Sequence, residues 1–149
     1  MSNTILYMLI ALLAGAVMPT QAATNNKMAE FVGSPVLAAL ISFAVGTVAL
    51  FAYVFLSGSP FTNLSGVREA PMIAWVGGLL GAFFVAATVA LVPRLGVAMT
   101  FSLIIAGQMI VTLVIDHFGL LGVPVKEVSL ARIGGILLIT AGVIMIRKY

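Results

Sequence analysis

Long apolar runs separated by short polar breaks make up most of the chain. Four runs reach the length of about 20 residues that a helix needs to cross a hydrocarbon core of about 30 Å. They cover residues 35–56, 71–92, 95–115 and 128–146. Proline opens the first two, at Pro35 and Pro71, where a first-turn proline is tolerated. The pattern predicts four spanning helices, with a tight turn at Pro93-Arg94 between the second and third runs.

The N-terminal apolar run, from Ile5 to Met18, is shorter and is followed by a polar segment that begins at Pro19. One interpretation is a secretory signal peptide, although no Lys or Arg precedes the run to form the usual charged segment. The interpretation we favour is a long first helix kinked at Pro19, whose missing N–H leaves the Gly15 carbonyl without its helical partner. In lipid such a carbonyl must be satisfied by protein or by cavity water.

With this helix included, the sequence predicts an all-α, polytopic membrane protein with five transmembrane helices in one domain, residues 1–149. The predicted helices cover about residues 4–31, 35–57, 71–92, 95–116 and 128–147.

The composition supports the same class. Hydrophobic residues make up 62% of the chain and charged residues 7%, against about 25% charged in soluble domains. A soluble enzyme and a disordered chain are therefore excluded. The seven bases are scattered, so we expect no nucleic-acid partner. With no cysteine, one histidine and four carboxylates, and without a known enzyme motif, we predict no metal, no cofactor and no catalytic residue.

The distribution of Lys and Arg gives almost no preference for one membrane orientation under the positive-inside rule. In the five-helix topology, three Lys and Arg residues lie on the side of the N-terminus and four on the other side. One interpretation is that so few charges give a noisy count. The other is that the chain inserts in both orientations and pairs as an antiparallel dimer, which would create the inverted repeats found in many carriers. Five helices barely enclose a pathway, whereas ten can.

Several short motifs occur together in one order along the chain. In the first half they are Pro19-Thr-Gln21, Asn25, Gly33-Ser-Pro35 and Ser42-Phe43. In the second half they are Trp75-Val-Gly-Gly-Leu-Leu-Gly81, Leu91-Val-Pro-Arg-Leu-Gly96, Ala106-Gly-Gln108, Asp116-His-Phe-Gly-Leu-Leu-Gly122 and Gly134-Gly-Ile-Leu-Leu-Ile-Thr-Ala-Gly142. Taken in this order, nearly the whole chain resembles the YdcZ-type family of small bacterial inner-membrane proteins, which belongs to the drug/metabolite transporter superfamily.

The resemblance implies a five-helix protomer in the inner membrane, comparable to one half of a ten-helix EamA-type carrier. It also implies pairing, either as an antiparallel homodimer of dual topology or with a homologous subunit. The small multidrug-resistance carriers, which are four-helix relatives, have an essential membrane-embedded glutamate in the first helix. Pro19-Thr20-Gln21 stands at about that place here. This departure argues against proton-coupled cation exchange by that mechanism.

Gln108 is the strongest single candidate for contact with a substrate. It lies near the middle of the fourth span, and its carboxamide brings two donors and an acceptor into hydrocarbon. Ser102 and Thr100 belong to the same helix and favour a substrate contact. The alternative is that Gln108 joins two helices, a role worth about 1 kcal/mol or less.

Gln21 and Asn25 are the next substrate-binding candidates, and Ser42 of the second helix is added to them. Because Gln21 and Asn25 are four residues apart, they lie on one helix face. With the Gly15 carbonyl they would form a polar notch beside the midplane, where carriers hold substrate and ions. The alternative is that the helix emerges into the lipid headgroups at this point.

Two further positions carry an expected role. Asp116 and His117 end the fourth span and are the candidates for ion coupling, since an intramembrane carboxylate is functional and histidine titrates near neutrality. The alternative is an interfacial anchor in which Asp116 pairs with Lys126 or Arg132. Trp75 begins the third span and is either a stacking wall for substrate or an interfacial anchor.

Small residues predict the surfaces through which helices pack. Gly77 and Gly81 have the G-x-x-x-G spacing that lets helix backbones approach closely. Gly135 and Gly142 are seven apart on the last helix. By similarity to the superfamily that helix could form a dimer seam, and packing within the protomer is the alternative.

The sequence therefore favours a secondary-active transporter of small solutes that works by alternating access, with the substrate at the dimer midplane. The scarcity of buried carboxylates argues against cationic substrates and favours neutral or anionic ones. A passive small-ion channel of dual topology and a non-transporting membrane subunit are the alternatives. The expected partners are a small-molecule substrate, the lipid bilayer and a second copy or a homologous subunit.

Overall fold

The computed structural model describes residues 2–148, with the side chains of 4–60, 64–146 and 148. Its helices are α1 (Ser2–Val32), α2 (Pro35–Leu56), α3 (Met72–Leu95), α4 (Val97–Phe118) and α5 (Leu130–Lys148). Two 3₁₀ segments, Phe61–Glu69 and Leu120–Gly122, lie in the connections. The described residues contain no β-strand. By length and composition the first four helices can cross a membrane, and α5 holds a shorter apolar stretch, Leu130–Ile146. The predicted all-α, five-helix membrane fold is confirmed.

The first helix runs without a break through Pro19 as far as Val32. Proline at this position removes one hydrogen bond from the helical ladder. Next to it, the Thr20 hydroxyl donates to the Ala16 carbonyl at 3.2 Å, and the Thr24 hydroxyl donates to the Gln21 carbonyl at 2.9 Å. Two threonines that follow the proline therefore donate to backbone carbonyls of α1, one before Pro19 and one after it. The polar segment belongs to the same helix as the apolar run.

A two-residue turn joins α1 to α2. Gly33 takes a positive φ of 70°, which glycine adopts without the steric penalty of a Cβ. The hydroxyl of Ser34 caps α2 by accepting from the Leu37 amide at 3.3 Å, and Pro35 occupies the first turn. So short a turn makes α1 and α2 an antiparallel hairpin.

The third helix ends later than expected. The tight turn predicted at Pro93-Arg94 is wrong: α3 continues through Pro93 to Leu95, and the break before α4 is Gly96, which has a φ of 78°. Proline does not stop a helix that has only two more residues to run, because the bond it removes lies at the frayed end. The break falls at the residue that tolerates positive φ.

The chain divides between Pro93 and Arg94 into two compact units. The core of the first unit is a cluster of small side chains on α2 and α3, Ala38, Ala39, Val85 and Val89. Ala29 and Val32 of α1 pack against it. These α1 residues and the cluster residues of α2 lie next to the Gly33 turn, so the α1–α2 hairpin is packed tightly at its turn end.

In the second unit, α4 and α5 contact each other, and residues 119–129 connect them along the chain. Gly119 ends α4 with a left-handed φ of 58°. The connection then folds back onto the end of α4, where the Lys126 amide donates to the Asp116 carbonyl at 2.8 Å. The connection is thus held to the helix that precedes it.

Gly119→Ala is expected to destabilise the protein by about 2–3 kcal/mol. A left-handed residue with a Cβ costs roughly 1–2 kcal/mol, and here the Cβ would also meet Cγ2 of Val125 at 2.7 Å. Gly58→Ala is the control, since Gly58 has a φ of 67° and open space around it, and should cost only about 1 kcal/mol. Unfolding in detergent measures both variants, and equal losses would show that the contact with Val125 relaxes freely.

Candidate functional site

Polar residues of α1 and α2 lie at matching levels of the antiparallel hairpin. Asn25 is eight residues before Gly33, and Ser42 is eight residues after Ser34. One turn further from the connection, Gln21 stands at the level of Gly46. Both helices rise about 1.5 Å per residue, so equal separations from the turn place residues at similar depth.

A groove of about 210 Å³ lies between the two helices at this level. It is lined by Gln21, Ser42, Phe43, Gly46, Thr47 and Leu50. The structure therefore brings together Gln21 and Ser42, two of the predicted substrate-binding residues. Phe43, Thr47 and Leu50 were not among the predicted site residues, although counting outward from the Gly33 turn places them beside Gln21.

Asn25, the third predicted substrate-binding residue of the hairpin, is buried one helical turn from Gln21 and does not itself line the groove. Its side chain is 8% exposed, and its amide nitrogen Nδ2 has no hydrogen-bond partner among the described residues. A buried donor without an acceptor costs about 1–3 kcal/mol, and native proteins contain few of them. Packing between the described residues provides no acceptor for this amide nitrogen, so its burial is not explained by packing alone.

The length of α2 sets the depth of the groove. Its 22 residues span about 33 Å at 1.5 Å per residue, close to the thickness of the hydrocarbon core. A helix of this length centred on the core has Gly46 next to its midpoint. In a bilayer centred on α2, Gln21, at the level of Gly46, would lie close to the midplane.

The residues that line the groove carry no charge. The nearest charged side chains along α1 are Lys27 and Glu30, which pair with each other at 2.6 Å and are 69% and 56% exposed. Lys27 is six residues from Gln21, a rise of about 9 Å. Each of these two charges is therefore compensated by the other, outside the groove.

Trp75 lies in the first turn of α3 and is 61% exposed. It is not among the residues that line the α1–α2 groove. A role for Trp75 as a stacking wall stays a prediction, separate from the groove.

The candidates of the second unit lie on α4. The 22 residues of α4 have their midpoint between Gly107 and Gln108, so Gln108 is as central in its helix as a residue can be. Its side chain is exposed and forms no hydrogen bond with a described residue. Ser102 is half-buried, and the buried Thr100 donates its hydroxyl to the Gly96 carbonyl at 2.7 Å.

At the end of α4 an ion pair joins the two helices of the second unit. The Arg132 guanidinium donates to the Asp116 carboxylate at 2.5 Å and to the Lys126 carbonyl at 3.0 Å. Imidazole Nδ1 of His117 accepts from the Val128 amide at 3.3 Å. The structure thus pairs Asp116 with one of the two bases considered from the sequence, and both coupling candidates also hold the connection in place.

The α4–α5 hairpin also contains a larger and almost wholly apolar cavity of about 340 Å³. His117 is the one polar residue that lines it, and the others include Ile110, Val114, Ile133 and Leu137. It offers a solute a single polar contact, whereas the α1–α2 groove offers several.

The four predicted packing glycines have different surroundings. A Cβ on Gly81 would meet the Phe43 ring at 3.5 Å, so this glycine faces α2. The same atom on Gly77, Gly135 or Gly142 would meet nothing within 4 Å. Their roles as close-packing positions stay predictions.

The described residues contain no group of three potential metal ligands. The groove contains amide and hydroxyl groups. Such groups can form hydrogen bonds to a solute and can keep them during a conformational change. Five apolar helices, with a polar groove at midspan, define a small polytopic α-helical membrane protein.

Comparison with protein-family models identifies the family. The model DMT_YdcZ, described as "Putative inner membrane exporter, YdcZ", matches residues 6–145. The chain therefore belongs to this family, and the resemblance seen in its motifs is confirmed. It is an inner-membrane protein of an exporter family, hence of a class of small-solute transporters rather than of enzymes. Comparison with curated proteins and with solved structures gave no match.

Proposed function

We propose that the protein is a secondary-active carrier of small solutes that contacts its solute in the α1–α2 groove. The observation that carries the proposal is the groove lined by Gln21 and Ser42 at mid-depth of the hairpin, with the buried, unpaired amide nitrogen of Asn25 one helical turn from Gln21. Polar groups at the membrane midplane are costly, and they mark solute pathways in membrane proteins. A binding role explains why an uncompensated donor persists there.

The proline of α1 supports the same role. Pro19 is two residues from Gln21 and removes the backbone bond to the Gly15 carbonyl. Carriers bind their solutes near the midplane where freed backbone groups are available. In α1, which is continuous through Pro19, the freed group is the Gly15 carbonyl. The groove thus combines side-chain donors with a weakened point in the helix that bears them.

The carrier works, in this proposal, as two protomers in opposite orientations. An antiparallel pair superimposes equal depths only at the midplane, so a central residue of one copy can meet its counterpart in the other. Gln108 is central in α4, is exposed and has no partner among the described residues. Its carboxamide is self-complementary, since it both donates and accepts. The near-balance of positive charge on the two sides permits both orientations.

Alternating access predicts that a thiol in the groove is reached from both sides of the membrane. Gly46→Cys is the reporter, because its Cβ meets nothing within 4 Å and the chain has no other cysteine. A membrane-impermeant thiosulfonate applied from one side should modify the whole population, since each molecule opens to that side in turn. Val45→Cys, on the neighbouring residue and 65% exposed outside the groove, is the control and should stay unmodified.

The same experiment separates the alternatives. Modification of half the population from each side would indicate two fixed orientations without alternation, and would contradict the carrier proposal. A channel would also be modified completely from one side, but it would pass a near-ohmic ion current across a planar bilayer. If the thiol of Gly46→Cys is modified from neither side, the groove is not part of the solute pathway.

Dual orientation predicts that two positions on opposite sides of the five-helix topology are each found on both sides of the membrane. Single cysteines at Ser59, in the α2–α3 connection, and at Tyr149, the last residue, are expected to label from both sides in intact cells and in inverted vesicles. Labelling of each from one side only would establish a single orientation, and the oppositely inserted partner would then have to be another subunit.

A further inference from the structure

We infer that the α1–α2 groove binds uncharged polar solutes that offer an acceptor oxygen. The inference rests on the proposed carrier function and narrows its substrate to one chemical class. It follows from three features of the groove: the absence of charge on its lining residues, the free amide and hydroxyl groups of Gln21 and Ser42, and the apolar wall beside them.

The groove lacks a counter-ion for a charged solute. Its six lining residues are uncharged, and Lys27 and Glu30 neutralise each other further along α1. An ion taken into the hydrocarbon core without a paired charge bears a large desolvation cost, and hydrogen bonds from neutral amides offset only part of it. A neutral solute exchanges its water hydrogen bonds for groove hydrogen bonds without that cost.

The free hydrogen-bonding groups at the groove include both donors and acceptors, because the carboxamide of Gln21 and the hydroxyl of Ser42 can each do both. Nδ2 of Asn25 is buried with no acceptor, and the Gln21 amide and the Ser42 hydroxyl form no hydrogen bond with described residues. The Thr47 hydroxyl already donates to the Phe43 carbonyl at 2.8 Å and is left as an acceptor. A carbonyl or hydroxyl oxygen on the solute would accept from the Gln21 amide or the Ser42 hydroxyl, both of which line the groove.

The remaining lining residues limit the size and the polarity of the rest of the solute. Phe43 and Leu50 form an apolar wall, and Gly46 presents no side chain opposite Gln21. The volume of about 210 Å³ suits a small molecule. The solute that fits is therefore short, with an oxygen at one end and an apolar carbon skeleton of a few atoms.

Protection of the Gly46→Cys thiol from N-ethylmaleimide tests this inference with three probes of one size. Lactamide is neutral, lactate is its anionic counterpart, and 1-amino-2-propanol is a cation at neutral pH. A ligand of so few atoms binds with a Kd of about 1 mM, so about 10 mM lactamide should slow labelling roughly tenfold. The two ions at the same concentration should leave the rate unchanged. Leu50→Cys, one turn away in the groove, repeats the test should Gly46→Cys fold poorly.

The outcomes distinguish the solute class from the carrier proposal. Protection by lactate or by 1-amino-2-propanol as strong as that by lactamide overturns the neutral class, and so does lack of protection by all three probes. The carrier proposal fails independently, when the groove thiol is not modified completely from one side. A groove reached from both sides but protected by a charged probe would leave the carrier intact with a different solute.

Discussion

Replacing Asn25 with leucine is expected to lower solute uptake about tenfold while leaving the protein as stable as before or more so. Leucine is close to asparagine in size and removes the buried amide whose nitrogen has no partner. Exchanging an unsatisfied buried polar group for an apolar one of similar shape is neutral or stabilising. The Asn25 amide pairs with the solute in the proposed site, so its loss weakens solute binding by about 1–3 kcal/mol. A loss of about 1.4 kcal/mol corresponds to a factor of ten.

Two measurements on one preparation decide this prediction. Stopped-flow light scattering of proteoliposomes gives the lactamide influx, and unfolding in detergent gives the stability. Asn26→Leu is the matched control: it makes the same change at the next residue of α1, which is half-buried and faces another direction. A role in packing alone predicts that Asn25→Leu lowers stability and that uptake falls only with the amount of folded protein. That result would remove Asn25 from the solute site.

Replacing Arg132 with methionine is expected to destabilise the second unit by about 1–3 kcal/mol. The substitution removes the guanidinium that bonds to the Asp116 carboxylate and to the Lys126 carbonyl. Breaking a fully buried ion pair costs about 3–5 kcal/mol. The Arg132 and Asp116 side chains are 32% and 21% exposed, so solvent screens part of that cost.

The other ion pair between described side chains is the natural control. Lys27 and Glu30 are more than half exposed and belong to one helix, and such a pair contributes about 0–1 kcal/mol. Lys27→Met should therefore cost several times less than Arg132→Met. Arg132→Lys keeps the charge but loses the planar fork, and should fall between the two. A double-mutant cycle with Asp116→Asn measures the coupling directly, and a coupling no larger than that of Lys27 and Glu30 would show that the pair does not hold α4 to α5.

The sequence predicted the helices more closely than the points where the chain turns. The long first helix through Pro19 was expected and is observed. At Pro93 the same residue type was expected to end a helix, yet α3 continues to Leu95 and the break lies at Gly96. Proline removes one hydrogen bond wherever it occurs, but whether the helix ends there depends on where a residue can adopt positive φ.

The candidate site was predicted in part. Gln21, Asn25 and Ser42 were each named for their polarity in an apolar setting, and the structure places them on the facing helices of one hairpin. Phe43 and Leu50 were missed, because a phenylalanine or a leucine in a transmembrane helix has no property that separates a groove-lining position from one exposed to lipid.

The sequence by itself determined that this is a five-helix membrane protein of the inner-membrane exporter family. Span length and the near-absence of charge are enough for the class, because a hydrocarbon core of fixed thickness admits few other arrangements of so apolar a chain. Only the tertiary structure decided which polar residues share a site, and that Asn25 is buried without a partner. Those facts depend on the register and rotation of α1 against α2, which result from packing between residues far apart in the chain.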